Sequence, residues 1–259
     1  QSAYCKEDVM KKRMLGMLLG AAILGAAATA GATPSTMFWT AASTDIQGFG
    51  VVHLGIDNYF TVLRKAEKGG GDFHTDVGFT VGVLPFEKIQ AEVGVDLIES
   101  TDNPLFFNAK VGTPEGALCK ACPAISVGVF NVGTKKDVTN QNVFDVIVGK
   151  TIGSVGRVFA GYYSGNSKVL VDKDGNKENT GFMIGFDKGF MPTKQGKDEY
   201  SKIVLAADYA SGKNALGGGG VGIAYFFTKD VSLLTGPVWF NEEAINGKWK
   251  WSTQLDVNF

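Results

Sequence analysis

The chain has 259 residues, with 25 basic and 26 acidic side chains, 35 glycines and an aromatic content of 11%. Charges this evenly balanced give no electrostatic footprint for nucleic-acid binding. The 2 histidines and 3 cysteines are too few for a histidine-rich metal site or for a disulfide-stapled scaffold of this length. The glycines follow no three-residue period, which excludes collagen.

The amino-terminal end has the pattern of an export signal. A basic cluster at 11–13 precedes an apolar run over 14–28, and small residues with an A-x-A pattern follow. A run of about 15 apolar residues is shorter than the roughly 20 that a membrane-spanning helix needs, so a retained anchor is the less favoured alternative. We predict a cleaved signal peptide over 10–32. Met10 is then the natural start, and residues 1–9 are an untranslated leader read in frame.

After this segment, hydrophobic residues recur with a period of two, which is the period of a β-strand. The carboxy-terminal segment shows the pattern best, since its even-numbered residues from 248 to 258 are polar or charged. The opposite face of the same segment consists of Trp249, Trp251, Thr253, Leu255, Val257 and Phe259. Successive side chains of a strand point to opposite faces, so the sequence predicts a sheet with one apolar and one polar face.

In chain order, the alternating segments predict twelve strands: 46–58, 73–84, 88–98, 105–112, 124–132, 142–151, 155–164, 180–188, 200–210, 219–228, 231–240 and 248–259. Most of them are longer than the five or six residues usual in soluble proteins and match a tilted strand that crosses a bilayer. Aromatic residues collect near the strand ends, and short turns alternate with longer polar connections. Two connections, 113–123 and 189–199, are longer than this alternation expects.

The export signal, the alternating strands and the terminal aromatic residue resemble porin-like β-barrels of the Gram-negative outer membrane. The resemblance covers residues 46–259 and concerns architecture alone. It implies an all-β, transmembrane, antiparallel up-and-down barrel of about twelve strands in the bacterial outer membrane, with both termini on the periplasmic side. It also implies that Phe259, Val257 and Leu255 form the signal that the barrel-assembly machinery recognises.

The resemblance also implies two parts of the exported chain. Residues 33–45 are expected to form an N-terminal periplasmic segment, and residues 46–259 are expected to form the barrel. The expected partners are outer-membrane lipid, the barrel-assembly machinery and small solutes or ions, without nucleic acid. We expect a monomer, because no glycine-free apolar stripe marks a subunit contact.

A C-x-x-C pair, Cys119 and Cys122, lies in a predicted periplasmic connection. In an oxidising compartment such a pair can close into a small disulfide. A covalently attached haem would need His where Pro123 stands, and a zinc site would need two further ligands. We therefore expect a local disulfide, no cofactor and no metal site. A redox or metal role for the pair is the alternative.

The polar face of the predicted sheet would line the barrel interior. The charged residues that the alternation assigns to this face are Asp76, Glu92, Asp96, Lys110, Asp145, Asp187, Lys202, Asp208, Lys248, Lys250 and Asp256. Acids outnumber bases in this set, which predicts a wet pore lining with a weak preference for cations. The same charges can instead pair across the interior and fill it.

A barrel of twelve strands has a bore between those of small, side-chain-filled barrels and sixteen-stranded porins. Known twelve-stranded barrels include channels for sugar acids and nucleosides, so solute passage is the leading analogy. The sequence therefore predicts a narrow, weakly cation-preferring diffusion channel for ions or small polar solutes, without catalytic residues. A non-conducting structural or partner-binding barrel is the alternative. A barrel enzyme that uses His74 or His53, both on the predicted interior face, is less favoured.

Overall fold

The computed structural model describes residues 37–65, 73–98 and 102–259. The predicted leader (1–9) and signal peptide (10–32) lie outside these residues. Over the described chain, twelve antiparallel strands form one closed barrel in which each strand pairs with its neighbours in sequence and the first pairs with the last. The structure thus confirms the all-β, up-and-down barrel that the alternation predicts.

The observed strands follow the predicted spans closely, apart from the start of strand one and the connection at 189–199. Their bounds are β1 Val52–Phe60, β2 Asp76–Gly82, β3 Gln90–Ile98, β4 Leu105–Thr113, β5 Ala124–Gly133, β6 Asn140–Ile152, β7 Gly156–Ser164, β8 Thr180–Gln195, β9 Asp198–Ala210, β10 Gly218–Thr228, β11 Val231–Phe240 and β12 Lys250–Asn258. A single-turn helix, α1 (Glu243–Asn246), precedes β12. In the part of the chain that the structure describes, no helix is long and apolar enough to cross a membrane.

The connection predicted at 189–199 is a paired ribbon, so this prediction was wrong. Strands β8 and β9 continue to pair past the barrel wall until Gln195 lies opposite Asp198. Residues 194–199 are exposed on both faces. Because the ribbon projects into solvent, neither of its faces has to be apolar, and the alternation that marks the other strands is absent here.

The two ends of the barrel differ in their connections. We call the end with the short turns, where β1 begins and β12 ends, the turn end, and the opposite end the loop end. The long connections at 165–179 and 211–217 lie at the loop end. The disulfide-bearing connection at 114–123 is an exception, since it is long and lies at the turn end.

The outer face of the barrel is apolar. Large hydrophobic side chains that it leaves exposed include Phe79, Val93, Phe107, Phe144, Tyr162, Phe182, Ile184, Ile223, Tyr225 and Phe227. Many side chains on the inner face of the same strands are charged or polar, and they are buried. This arrangement is the reverse of a water-soluble barrel and is the one that lipid-facing barrels adopt.

Residues 37–48 lie inside the barrel, and we call them the inner segment. The predicted periplasmic segment, 33–45, is described from Met37 onward, and residues 37–45 occupy the lumen. Met37 and Phe38 pack in the main hydrophobic cluster of the described chain, and the backbone N–H of Met37 donates to Thr40 O at 2.7 Å. The chain therefore bends near the loop end and then runs to the turn end.

The first barrel strand begins at Val52, and residues 49–51 connect it to the inner segment. The connection passes close to β2, because a Cβ atom added at Gly82 would lie 2.0 Å from the carbonyl oxygen of Gly48. Gly50 has a φ of +76°, a conformation that glycine adopts without strain. The alternation predicted at the start of strand one is therefore a turn out of the lumen.

Two glycines of β10 make room for the inner segment. A Cβ atom at Gly220 would lie 2.1 Å from Phe38 Cδ1, and a Cβ atom at Gly222 would lie 2.4 Å from Phe38 Cε2. The Phe38 ring is fully buried in this slot. Burying such a side chain stabilises a fold by about 1.5–3 kcal/mol.

Replacing Gly220 by Ala should lower the free energy of unfolding by about 1–3 kcal/mol, because the new methyl group overlaps the Phe38 ring. Urea unfolding of the refolded barrel measures this loss. Gly48→Ala is a control, since a Cβ atom there meets only Val51 Cγ2, at 3.5 Å. In a Phe38→Ala background the cost of Gly220→Ala should disappear. An equal cost in both backgrounds would show that Phe38 does not occupy the slot.

Candidate functional site

The lumen is the candidate site, and its two halves differ in character. The half formed by β6–β11 is filled by buried apolar side chains: Val143, Ile147, Phe159, Tyr163, Met183, Ala206, Phe226, Leu234 and Val238. The half formed by β12 and β1–β5 buries polar side chains: His53, Asp57, Thr80, Glu92, Asn108, Lys110, Ser126, Ser252, Gln254 and Asp256. The inner segment lies between these halves and contacts both.

Loops close the apolar half at the loop end. Asn214 is fully buried there, and its Nδ2 donates to Tyr163 Oη at 3.0 Å and to the carbonyl oxygen of Glu178. The side chain of Asn241 donates to the carbonyl oxygens of Ala210 and Gly212, at 2.9 and 2.8 Å. These contacts hold the long loops together at the loop end of the apolar half.

Aromatic rings cluster at the loop end around the bend of the inner segment. The Trp39 ring packs edge-on against Tyr59 and Phe240, with centroid distances of 5.6 and 4.9 Å. Phe73 stacks on Phe240 at 5.5 Å. Trp39 Nε1 also donates to the carbonyl oxygen of Leu216 at 3.1 Å. The bend is therefore fixed to the mouth of the barrel by both apolar and polar contacts.

Asp208 of β9 anchors the bend. Its Oδ2 accepts the backbone N–H groups of Phe38, Trp39 and Thr40, at 2.9, 2.9 and 2.7 Å. Hydrogen bonds to an ionised acceptor are roughly twice as strong as neutral ones. Asp208, predicted to line a pore, thus lies beneath the inner segment and holds its backbone.

Arg157 of β7 anchors the other end of the segment. Its Nη1 and Nη2 donate to the two oxygens of Asp45 at 2.6 and 2.8 Å, and its Nε donates to Asp187 Oδ1 at 2.9 Å. The positive charge of Arg157 therefore compensates the carboxylates of Asp45, in the inner segment, and of Asp187, in the barrel wall. The predicted pore-lining Asp187 is an ion-pair partner in this arrangement.

Glu92 and Lys110 lie opposite each other on β3 and β4, and both contact the inner segment. Glu92 Oε2 accepts the backbone N–H of Gln47 at 2.7 Å. Lys110 Nζ donates to the carbonyl oxygen of Ser43 at 3.3 Å. These two predicted lumen residues therefore face the interior, where they hold backbone groups of the segment.

The remaining predicted lumen residues are placed as follows. Asp145 is buried and its carboxylate leans over Gly128, where an added Cβ atom would lie 2.9 Å from Asp145 Oδ2. Lys250 is buried and donates to Thr61 Oγ1 at 2.9 Å. Lys248 precedes β12 and is exposed, and Lys202 Nζ lies 5.6 Å from the ring centroid of the outer-face Tyr225. The buried lumen is therefore richer in acid than the sequence predicts.

The predicted acids Asp76, Asp96 and Asp256 lie together on β2, β3 and β12, and Asp57 of β1 joins them. Asp57 and Asp256 are buried, whereas Asp76 and Asp96 are half-buried. Asp76 begins β2 and Asp96 lies two residues before the end of β3, so both half-buried acids lie towards the loop end of the barrel. The sequence prediction missed Asp57, although its odd position in β1 places it on the inner face.

His53 lies between two partners on β12. Its Nδ1 is 2.8 Å from Asn258 Oδ1, and its Nε2 is 3.4 Å from Asp256 Oδ1. His74, the other histidine of the enzyme alternative, is exposed at the loop end. Within the described residues, no group of three or more His, Cys, Asp or Glu side chains could hold a metal ion.

The cysteine pair and the carboxy terminus lie outside the lumen. Cys119 and Cys122 are joined in a disulfide between β4 and β5. The backbone N–H of Phe259 donates to Val52 O at 2.8 Å, which extends the closing pair of strands. Leu255 and Val257 lie on the outer face beside β1. Recognition of this end by an assembly machinery stays a prediction.

Comparison with known proteins reveals similarity of fold but not of sequence. No protein-family profile and no curated protein matches the chain. Among solved structures, a membrane protein from a study of in-meso crystallisation is 13% identical with a TM-score of 0.50, over 82% of this chain and 83% of the other. The chain has the fold of a porin-like outer-membrane β-barrel.

Two further solved structures have lower TM-scores. The KdgM porin is 9% identical with a TM-score of 0.46, over 81% of this chain and 99% of that one. An outer-membrane channel of Pseudomonas putida F1 is 8% identical with a TM-score of 0.43, over 84% of this chain and 98% of that one. Identities this low concern the fold alone and say nothing about solutes.

Replacing Arg157 by Ala should lower the free energy of unfolding by about 3 kcal/mol, since Asp45 and Asp187 then share a partly buried space without a counter-charge. Urea unfolding of the refolded barrel measures the loss. Lys150→Ala is the control, because Lys150 pairs with Glu115 at 2.9 Å where both side chains are about one-third exposed. That surface pair should contribute less than about 1 kcal/mol. Equal losses in the two variants would contradict the anchoring role of Arg157.

Proposed function

We propose that the chain is a non-enzymatic outer-membrane barrel that forms a narrow, weakly cation-preferring diffusion channel for ions or small polar solutes. The observation that carries the proposal is the acid-rich polar half of the lumen, where Asp76 and Asp96 face the interior and are still partly exposed. Acids that line a water path raise the local concentration of cations and lower that of anions. The path lies between the inner segment and the wall formed by β1–β4.

The outer face supports a location in a membrane. Large aliphatic or aromatic side chains are exposed on β1–β8, β10 and β11. Such a surface is stable against acyl chains and would aggregate in water. A Gram-negative outer membrane is the proposed site, with lipid and the barrel-assembly machinery as partners and a monomer as the working unit.

The inner segment supports a narrow bore. It fills the centre of the barrel, and seven of its first eight residues, 37–44, are buried. A twelve-stranded barrel without such a segment would enclose a wider space. The solutes that fit beside the segment are therefore small, such as hydrated ions or small polar molecules.

A non-conducting barrel is the second candidate, and a specific observation favours it. Phe38 is fully buried, Asp208 accepts three backbone N–H groups of the segment, and Arg157 compensates the charge of Asp45. If the polar half does not connect the two ends, the segment is a permanent filling and the barrel has a structural or partner-binding role. Single-channel recording of the refolded chain in a planar bilayer distinguishes the two. Discrete conductance steps support the channel, and a silent barrel shown to be folded by heat-modifiable gel migration supports the alternative.

Deleting residues 37–45 should raise the single-channel conductance several-fold, because the segment occupies the centre of the bore. The measurement is conductance in a planar bilayer at fixed salt, with heat-modifiable gel migration to show that the barrel is folded. Gly48→Ala, which keeps the segment, should conduct like the unchanged chain. A folded deletion variant with unchanged conductance would show that the segment does not limit the bore.

Replacing Asp76 and Asp96 together by Asn should lower the cation preference, since two partly exposed carboxylates leave the water path. The reversal potential across a salt gradient measures the preference. Glu115→Gln removes an acid at the turn end outside the lumen and should leave the reversal potential unchanged. An unchanged reversal potential in the double variant would exclude these acids from the path. Asp208 is unsuited to this test because its replacement also releases the bend of the inner segment.

A further inference from the structure

The loop end of the outer face has a row of large aromatic side chains. Trp239 lies near the end of β11, Trp249 directly precedes β12, and both side chains are exposed. Trp251 of β12 pairs with Phe60 of β1 across the seam where the barrel closes, and Phe60 is exposed as well. Tryptophan and other aromatic rings at one level of a barrel wall are typical of the boundary between lipid tails and head groups. We call these four residues the aromatic row.

Arg64 lies on the aromatic row. It follows the end of β1, and its Cζ atom is 4.8 Å from the centroid of the Trp249 ring. Its Nη2 also donates to the carbonyl oxygen of Trp249. The face of an indole ring attracts a cation, and a guanidinium can stack on it. Two different contacts with one residue therefore hold the positive charge of Arg64 at the membrane boundary.

The guanidinium of Arg64 keeps most of its hydrogen-bonding capacity. A guanidinium has five N–H donors. Within the described residues, Trp249 O is its one hydrogen-bond acceptor, and Nε has no partner. In the same part of the chain no carboxylate forms an ion pair with Arg64, whereas Arg157 in the lumen pairs with both Asp45 and Asp187. The charge of Arg64 can therefore bind an anion from outside the chain.

The charges close to Arg64 in the sequence and in the facing connection favour an anion. Lys65 follows it, Lys248 precedes Trp249, and both lysines are exposed. The acids of the facing connection are Glu242 and Glu243. Glu242 Oε1 accepts a backbone N–H of α1 at 3.2 Å, so this carboxylate caps its own helix. Three bases and two acids leave a net positive charge beside the aromatic row.

We propose that Arg64, held on Trp249, binds the phosphate group of an anionic membrane lipid whose acyl chains lie along the aromatic row. Arginine binds phosphate through two parallel N–H bonds, which Trp249 leaves available. The exposed rings of Trp239 and Phe60 bury apolar area against acyl chains. A free phosphate ion would satisfy the guanidinium but leave these rings uncovered. A phosphate-bearing lipid therefore fits the whole surface.

The inference rests on the proposed location in an outer membrane, where the loop end is expected to face the outer leaflet. It adds a specific lipid contact to that location. The aromatic row crosses from β11 and β12 to β1, so a bound lipid covers the seam between the first and last strands. A ligand that binds only the folded barrel stabilises it by mass action, so the bound lipid should also raise the melting temperature.

Native mass spectrometry of the full refolded chain in detergent tests the proposal. The probe is lipid A, an acylated glucosamine disaccharide that carries phosphate groups, and phosphatidylcholine is the comparison lipid. One lipid A should bind per barrel, in preference to phosphatidylcholine. Arg64→Gln should weaken this binding roughly tenfold, because it removes the charged donor of the phosphate. Lys213→Gln, which removes an exposed base from a different loop-end connection, is the matched control and should bind as the unchanged chain does.

A second variant tests the role of the ring. Trp249→Leu keeps an apolar side chain but removes the indole face that positions Arg64, so it should also weaken binding of lipid A several-fold. Heat-modifiable gel migration shows whether each variant is folded. Should Arg64→Gln fail to fold, Trp249→Leu carries the same test.

The outcomes separate the possibilities. Binding of lipid A that is weakened in Arg64→Gln and Trp249→Leu and kept in Lys213→Gln supports the site. No preference over phosphatidylcholine, or equal binding by all variants, overturns it. Binding of inorganic phosphate alone with the same dependence on Arg64 would assign the surface to a free anion and overturn the lipid assignment. Lipid binding by a barrel that is silent in bilayers would reject the proposed channel and keep the site, and conductance without lipid binding would do the reverse.

Discussion

The structure depends on the compensation of carboxylates that a closed barrel traps in its interior. The outer face is apolar, so the strands have to place their charged side chains inward, where little water remains. An ionised carboxylate is stable there only with hydrogen-bond donors or cations near it. Asp208 finds three backbone N–H groups, and Asp187 finds Arg157. The inner segment supplies part of this compensation, because its backbone N–H groups donate to Asp208 and Glu92.

Most of the fold could be predicted because each strand of the wall has one face towards lipid and the other face towards the barrel interior. Lipid-facing and interior residues alternate strictly, and the alternation locates strands such as β6 and β10 almost to the residue. The prediction fails where that requirement ends. The ribbon that ends at Gln195 and Asp198 projects past the wall, and residues 46–51, predicted as the start of strand one, precede β1. Neither stretch has one apolar and one polar face.

The lumen could be predicted only in part. The alternation places Glu92, Asp96 and Asp256 on the inner face, as the structure does. It cannot indicate that residues 37–45 fold into the barrel, because they are held mainly through backbone groups and follow no side-chain period. Arg157 was missed for a simpler reason, since the same alternation along β7 places it inside and was not applied to it.

The inner segment directly precedes β1 in the chain, and this position couples closure of the barrel to insertion of the segment into the lumen. The segment is joined to β1 by residues 49–51 only, and β1 is one of the two strands that close the ring. Pairing of β1 with β12 therefore also brings the inner segment into the barrel. Its contact between Gln254 and Phe38 joins residues 216 positions apart, so this contact forms only when both chain ends have met. Non-local contacts of this kind make folding slow. Closure of the barrel and packing of the inner segment therefore occur together.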